Sequence, residues 1–215
     1  MAPRDPAPPP TRVLFVRHGK TPTTGTVLPG RAPGLHLADE GRAQAEAAAE
    51  RIAALERVDA VYASPLERTR ETAAPIARAR GLRVRVDKGL LEADFGQWTG
   101  RKLADLRKKR EWKAVQAHPS GFRFPGGESF AEMQARIVGA TRRLCTRHAG
   151  GTIVLVSHAD PIKAALTDAL GAHLDHLQRI VVSPCSVSAV VYGDVGDVVL
   201  TVNSTGGDLR ALVPS

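Results

Sequence analysis

The residues best suited to chemistry are an arginine and a histidine that directly follow a short apolar segment. Val13 to Val16 are apolar, and Arg17, His18 and Gly19 come next. Such a segment predicts a buried strand, and the glycine allows a sharp turn and the close approach of a ligand. A guanidinium binds a phosphate with its planar fork, and a neutral imidazole can act as a nucleophile. The tripeptide therefore suits attack on a phosphoryl group, although alone it is also compatible with a buried core histidine.

A second histidine has the same setting. The β-branched segment from Thr152 to Val156 predicts another strand, and His158 follows it after one serine. Open α/β sheets place their ligands at the carboxyl ends of strands, so we expect both histidines at that edge of the sheet. Asp160 and Pro161 favour a helix that begins there, with Asp160 as its N-cap. This structural role for Asp160 is preferred to a catalytic one.

Two further charged residues could complete such a site. Ser64 and Glu67 predict a capping box at a helix start, which places Arg68 in the first turn, where exposed N–H groups attract anions. Glu92 and Asp94 are the only carboxylates of the loop over residues 89–100. A carboxyl with a raised pKa in a partly apolar pocket could protonate the leaving oxygen of a phosphate ester. Taken alone, however, both carboxylates are better explained as residues of a surface loop.

Long loops and a basic segment adjoin these motifs. The Gly/Pro/Thr-rich loop over residues 20–36 follows His18 and carries Arg31, which could bind a phosphate or simply be solvated. Residues 101–113 contain seven Lys or Arg residues beside Leu103, Leu106 and Trp112. We expect this segment to form a helical flap, within residues 99–128, that covers the site with a solvated basic face. The scarcity of aromatic residues for stacking argues against nucleic-acid binding.

Composition limits the remaining possibilities. The 215 residues, 43% of them hydrophobic and 24% charged, are typical of one soluble globular domain, predicted over residues 11–215. The net charge of +8 favours acidic ligands. Residues 1–10 are proline-rich and predict a disordered lead-in without a signal peptide. No apolar run approaches the ~20 residues that span a bilayer, and the two cysteines have no metal-like spacing, so we expect a cytoplasmic protein without membrane contact or metal.

Taken together, four motifs resemble the histidine phosphatase superfamily in its phosphoglycerate mutase-like branch. The resemblance extends from residue 11 to about residue 208 and implies a three-layer α/β/α sandwich with a mostly parallel central sheet. It further implies that His18 accepts the phosphoryl group, that Arg17, Arg68 and His158 bind its oxygens, and that Glu92 is the proton donor. The motifs are Arg17-His18-Gly19, Ser64-Pro65-Leu66 with Arg68 and Thr69, Leu91-Glu92 with Phe95-Gly96 and Trp98-Thr99-Gly100, and Ser157-His158.

The chain departs from the family pattern at three positions. Lys20 stands where the family often has a carboxylate or amide, and Ala159 where it often has glycine. The family asparagine near Thr24 is missing, which leaves Thr23 or Thr24 to bind the phosphate more weakly. These changes leave the core chemistry intact, but because of them the family pattern does not identify the substrate.

The resemblance implies a cofactor-free, metal-independent phosphatase that acts through a phosphohistidine. Two arginines and a second histidine can neutralise the transferring group without Mg²⁺. The residues after Glu92 resemble the phosphatases, and the expected substrate is a small phosphorylated metabolite such as a sugar phosphate. A phosphoglycerate mutase primed by a bisphosphate is the alternative. The sequence does not determine the oligomeric state, and a homodimer remains open.

Overall fold

The computed structural model of the protein describes residues 8–212 and contains one six-stranded sheet in the order β3-β2-β4-β1-β5-β6. The predicted disordered lead-in lies outside the described residues over positions 1–7. Four strands, β1 to β4, are parallel, and β5 pairs antiparallel with both β1 and β6. The strands are β1 (Thr11–Arg17), β2 (Ala60–Ala63), β3 (Val84–Val86), β4 (Thr152–Ser157), β5 (Val187–Gly193) and β6 (Gly196–Ser204).

Helices cover both faces of this mostly parallel sheet, as predicted. Because side chains alternate across a strand, Leu14 and Val16 face one layer while Val13 and Phe15 face the other. The first layer is formed by α1 and α2, and the second by α5 and α6. The helices are α1 (Asp39–Ala53), α2 (Glu67–Ala79), α3 (Leu103–Leu106), α4 (Arg110–Ala117), α5 (Phe130–Arg147) and α6 (Ala159–Ala169).

Two helix starts differ from the predictions made from the sequence, and a third helix begins at a complete capping box. The capping box of Ser129 and Glu132 is present at the start of α5. The predicted cap at Ser64 is wrong, because α2 begins later, after Leu66, with no side-chain cap. The predicted cap at Asp160 is also wrong: His158 occupies the N-cap position of α6 and Asp160 lies inside the first turn. Both corrections concern residues that border the candidate site.

The predicted flap segment, residues 99–128, contains α3 and α4 and lies over an aromatic cluster. Trp98 stacks on Trp112 of α4 with ring centroids 6.3 Å apart, and Phe124 packs edge-to-face against Phe95 at 4.8 Å. Leu106 of α3 and Val115 of α4 are buried in the same cluster. The basic residues of the segment remain largely exposed. Over residues 8–212, no helix combines the length and the apolar character that crossing a bilayer requires.

The His18 corner is held against α1 through two glycines. A Cβ on Gly19 would lie 2.5 Å from the carbonyl oxygen of Gly41, and a Cβ on Gly41 would overlap the carbonyl oxygen of Lys20. Gly19 does not have a positive φ. Its lack of a side chain is therefore required by the close approach of α1, rather than by the sharp turn that the sequence suggested.

Gly41→Ala is expected to lower the free energy of unfolding by about 1–3 kcal/mol, because the added methyl group overlaps backbone that cannot move independently. The matched control is Gly139→Ala in the middle of α5, where an added Cβ meets no atom within 4 Å. That change is expected to stabilise the protein by up to about 1 kcal/mol, from helix propensity. Urea unfolding of the two variants measures both effects. Equal stability of Gly41→Ala and the wild type would show that the corner is not tightly packed.

Candidate active site

The two histidines predicted at strand ends lie side by side. In the parallel register of β1 and β4, Arg17 is paired with Ser157. These are the last residues of the two strands, so a histidine directly follows each strand. The backbone N–H of His18 donates to the carbonyl oxygen of Ser157 over 2.9 Å. The ring centroids of His18 and His158 are 5.3 Å apart, in an edge-to-face arrangement. Their expected position at the same edge of the sheet is confirmed.

The hydrogen bond at one nitrogen of His18 sets its tautomer. Nδ1 lies 2.8 Å from the carbonyl oxygen of Gly19, which can only accept, so Nδ1 carries the hydrogen. The neutral ring therefore has its lone pair on Nε2. Burial, with the charges of Arg17 and Arg68, lowers the pKa of His18 to about 3. The imidazole is thus neutral, and Nε2 nucleophilic, across the physiological pH range.

His158 is fully buried and is oriented by Ser64. Its Nε2 lies 2.9 Å from Ser64 Oγ, and its Nδ1 lies 3.9 Å from Glu92 Oε2. Burial, followed by the charge of Arg68, lowers the pKa of His158 well below its usual value. Ser64 thus contacts the second histidine instead of capping a helix. The sequence pattern of a capping box concealed this role, because local spacing carries no information about a partner 94 positions away.

Two guanidiniums lie beside the imidazoles with several nitrogens unpartnered. Arg17 donates through Nη1 to the carbonyl oxygen of Val182 over 2.7 Å, and Arg68 through Nη2 to that of Gly30 over 2.8 Å. Within residues 8–212, Arg17 Nε and both Nε and Nη1 of Arg68 have no hydrogen-bond partner although they are buried. Buried donors are rarely left without partners. These donors are therefore suited to bind the oxygens of an anion.

Glu92 supplies a buried carboxyl to the same site. It is 8% exposed, and its Oε1 accepts from the backbone N–H of Ala93 over 3.0 Å. Burial and the nearby carboxylate of Asp160 raise the pKa of Glu92 to about 7, against the opposing effect of Arg68. At neutral pH a substantial fraction of Glu92 is therefore protonated and can donate a proton.

The structure does not bring Arg31 into this set. Its Nε donates to the carbonyl oxygen of Glu92 over 2.8 Å, and its Nη2 to Glu128 Oε2 over 2.9 Å. Arg31 does not line the cavity that contains His18. The expectation that it binds substrate is corrected: its guanidinium is engaged in holding the loop that carries Glu92.

Two residues that the sequence analysis missed support the same loop. Arg136 of α5 donates through Nη1 to the carbonyl oxygens of Gly89 and Leu91, over 2.9 and 2.8 Å. Its guanidinium also forms two hydrogen bonds with Glu128. Glu128 Oε2 accepts from the backbone N–H of Asp94 over 3.3 Å, so Arg31, Arg136 and Glu128 all fix the Glu92 loop through its backbone. No local sequence pattern identifies Arg136 or Glu128. The capping box at Ser129 explains where α5 begins, but it does not predict which atoms Arg136 contacts.

The remaining predicted residues line a cavity of about 270 Å³ with Arg17, His18 and Glu92. Thr24 lies in its wall, and its Oγ1 accepts from the backbone N–H of Thr21 over 2.8 Å. Ala159 also lines the cavity and begins α6, where the first N–H groups of a helix have no intrahelical acceptor. Lys20 forms an ion pair with Glu40 at 2.6 Å and is not among the lining residues.

This arrangement has the parts that phosphoryl transfer needs. A neutral nucleophile, the guanidinium of Arg17, a helix N-terminus and a partly protonated carboxyl line one cavity, and the buried guanidinium of Arg68 acts on the same nucleophile from outside the lining. Charge neutralisation and positioning account for most of the catalysis of this reaction class. Among residues 8–212, no cluster of three or more His, Cys, Asp or Glu side chains could hold a metal ion.

Comparison with known proteins identifies the relatives of this fold and site. The model of the histidine phosphatase superfamily (branch 1) matches residues 13–205. The bifunctional protein Rv2228c of Mycobacterium tuberculosis is 37% identical over 205 residues, covering 92% of this chain and 55% of that protein. The chain thus spans about half the length of this relative.

Other relatives match over most of their length. Phosphoserine phosphatase 1 of Hydrogenobacter thermophilus is 30% identical over 90% of this chain and 92% of its own. A probable phosphoglycerate mutase of Yersinia enterocolitica is 31% identical over 84% of this chain and 85% of its own. Among solved structures, phosphoserine phosphatase from Entamoeba histolytica with bound 3-phosphoglyceric acid has a TM-score of 0.79 and 25% identity, covering 90% of this chain and 97% of that one.

Proposed function

Because the chain belongs to the histidine phosphatase superfamily (branch 1), we propose that it is a metal-independent phosphatase that hydrolyses a small phosphomonoester through a phosphohistidine intermediate. The observation that carries this proposal is the pairing of a neutral His18, whose free nitrogen is Nε2, with a Glu92 that is partly protonated at neutral pH. Hydrolysis through a covalent intermediate requires one group of each kind.

The reaction proceeds in two steps. His18 Nε2 attacks the phosphorus while Glu92 transfers its proton to the leaving oxygen, so an alcohol departs and a phosphohistidine forms. The ionised Glu92 then takes a proton from water, whose oxygen attacks the phosphorus and releases phosphate and His18. Arg17, Arg68 and His158 bind the phosphoryl oxygens in both steps, so the developing charge is matched by fixed donors.

The proposed substrate is a small phosphorylated metabolite, with a sugar phosphate as the sequence-based example. The direct test is release of inorganic phosphate from a panel of phosphate esters in the presence of EDTA. We expect hydrolysis of at least one small ester at a rate that EDTA does not change. Activity that EDTA abolishes and added Mg²⁺ restores would contradict a metal-independent reaction.

The second candidate function is the mutase reaction, which the relative in Yersinia enterocolitica favours. A mutase would interconvert phosphoglycerates and be stimulated by a bisphosphate primer. A phosphatase releases inorganic phosphate without that stimulation. Measuring both products from the same phosphoglycerate distinguishes the two functions.

Glu92→Gln is expected to lower kcat for an alkyl phosphate by about 10²–10⁴-fold, because the amide cannot donate the required proton. For p-nitrophenyl phosphate, whose phenolate leaves without protonation, the loss in kcat/KM should be much smaller, because kcat/KM reports only the formation of the phosphohistidine. In the wild type, kcat/KM should fall as the pH rises through about 7, because Glu92 loses its proton there. The variant should lack this decline.

Asp94→Asn is the matched control, because Asp94 lies two residues away with a side chain that is 47% exposed. Its pH profile should retain the decline. The substrate phosphate itself titrates with a pKa of about 6 and contributes equally to every pH profile. Comparing the profiles of Glu92→Gln and Asp94→Asn therefore isolates the contribution of Glu92. An unchanged decline in Glu92→Gln would show that another group is the proton donor.

A further inference from the structure

Arg17 is held by one loop, residues 180–186, which leads into β5. The carbonyl oxygen of Val182 in this loop accepts from Arg17 Nη1 over 2.7 Å. The loop also binds the backbone of Arg17, whose N–H donates to Ser186 over 3.4 Å and whose carbonyl oxygen accepts from the N–H of Cys185 over 3.1 Å. The orientation of the Arg17 guanidinium therefore depends on the conformation of this loop.

Asn203 of β6 binds the same loop from outside. Its Oδ1 accepts from the backbone N–H of Ser183 over 2.6 Å. Among the hydrogen bonds of residues 8–212, only the side chains of Asn203 and Arg17 reach the backbone of this loop from elsewhere in the chain. Asn203 is therefore the side chain best placed to fix the loop on the side remote from Arg17.

The hydrogen bonds of Asn203 and Arg17 meet at one peptide group. The carbonyl of Val182 and the N–H of Ser183 belong to the same planar unit, so neither can rotate without the other. When Asn203 holds the N–H, it also fixes the direction in which the carbonyl faces Arg17. Hydrogen bonds in such a chain also polarise and strengthen one another.

A β-bulge accompanies this contact. Two residues of β6, Val202 and Asn203, lie opposite the single residue Ser188 of β5. The backbone N–H of Asn203 donates to Ser188 Oγ over 3.0 Å, and Asn203 has a φ of 58°, in the left-handed region that disfavours most side chains. Within residues 8–212, the other non-glycine residue with a positive φ is Cys185, in the loop itself. Unfavourable backbone conformations of this kind concentrate at functional sites.

We infer that Asn203 is a positioning residue, which acts through the peptide group between Val182 and Ser183 to orient the guanidinium of Arg17 for phosphoryl transfer. The inference rests on the proposed function, in which Arg17 binds the transferring group. Arg17 Nε is buried without a hydrogen-bond partner, and a planar guanidinium makes paired contacts with an anion only in the correct orientation. Loss of the Asn203 contact therefore weakens catalysis without removing a group that touches the substrate.

Asn203→Gly removes the acceptor, while glycine adopts a positive φ without strain. We expect kcat/KM for p-nitrophenyl phosphate to fall about tenfold, because small displacements of a catalytic group are costly. Arg17→Met should lower it by at least about 10²-fold. In the Arg17→Met background, Asn203→Gly should change kcat/KM by less than about twofold, because residues that act through one group are not additive.

The same double-mutant cycle on the Kd of inorganic phosphate, measured by calorimetry, tests the orientation of Arg17 without turnover. Thr205→Gly is the control, because Thr205 is an exposed residue just beyond β6. It should retain the wild-type kcat/KM and Kd. Ser188→Ala, which removes the hydroxyl that binds the Asn203 N–H, should show a smaller loss that also vanishes without Arg17. It replaces Asn203→Gly in the cycle if the melting temperature shows that the glycine variant is unfolded.

Wild-type constants in Asn203→Gly, or losses of equal size with and without Arg17, would overturn the inference. A loss that is independent of Arg17 would mean that Asn203 stabilises the fold in general. Failure of the proposed function differs, since the wild type would then bind phosphate without hydrolysing p-nitrophenyl phosphate, and the cycle on Kd would still decide the role of Asn203.

Discussion

His18→Ala is expected to lower kcat for phosphomonoester hydrolysis by about 10⁴-fold or more, as removal of a covalent nucleophile does in other enzymes. The reason lies in the geometry of His18, whose Nδ1 is bound to Gly19 and whose Nε2 is free. His158 also has an unpartnered ring nitrogen, Nδ1, but among the described residues His18 is the histidine that lines the cavity. Steady-state kinetics with p-nitrophenyl phosphate measures the loss.

Mass spectrometry of the intact protein provides the second readout. Wild-type protein quenched during turnover should carry one added phosphoryl group, and His18→Ala should carry none. His173→Ala, at an exposed histidine far along the chain, should show both wild-type turnover and the added group. Full turnover of a phosphomonoester by His18→Ala would falsify the proposed mechanism.

Arg68→Met is expected to lower kcat/KM by about 10³-fold or more, comparable to the loss of an arginine that stabilises a transferring phosphoryl group elsewhere. The melting temperature should nevertheless be equal to or above that of the wild type. Arg68 is 0% exposed, with two nitrogens unpartnered, and burial lowers its pKa. Burial of this charge destabilises the folded protein. Methionine has a similar volume and no charge, so the substitution removes that destabilisation.

Arg70→Met is the control for this prediction, since Arg70 lies two residues further along α2 and is exposed. It should change neither activity nor melting temperature appreciably. Thermal unfolding and steady-state kinetics on the same preparations give both quantities. A large fall in the melting temperature of Arg68→Met would mean that the guanidinium stabilises the fold instead of serving the reaction.

The positions of the two histidines could be predicted because strong local signals determine them. Each follows a buried strand, and the carboxyl ends of parallel strands share one edge of a sheet. The helix start near Arg68 was also predictable to within two residues. The fold class was implied by the resemblance to the histidine phosphatase superfamily, and the mostly parallel six-stranded sheet confirms it. Strand order and the antiparallel direction of β5 were not predicted, because both depend on long-range pairing.

The errors arose where tertiary contacts override local patterns. Ser64 fits a capping box by spacing, yet its hydroxyl contacts His158. Arg31 fits an anion-binding loop, yet it holds the backbone of Glu92. Arg136 and Glu128 stabilise that loop from α5 and the segment before it, and nothing in the neighbouring sequence marks them. The chemical groups were thus identifiable from sequence, whereas the side chains that orient them were not.

The hydrogen bond from His18 Nδ1 to the carbonyl oxygen of Gly19 determines which ring nitrogen is available for phosphorylation. With that ring position occupied by a proton held on a carbonyl, a phosphorus–nitrogen bond can form only at the nitrogen remote from the main chain. The phosphohistidine of the proposed mechanism would therefore be the tele isomer, with its phosphoryl group on Nε2.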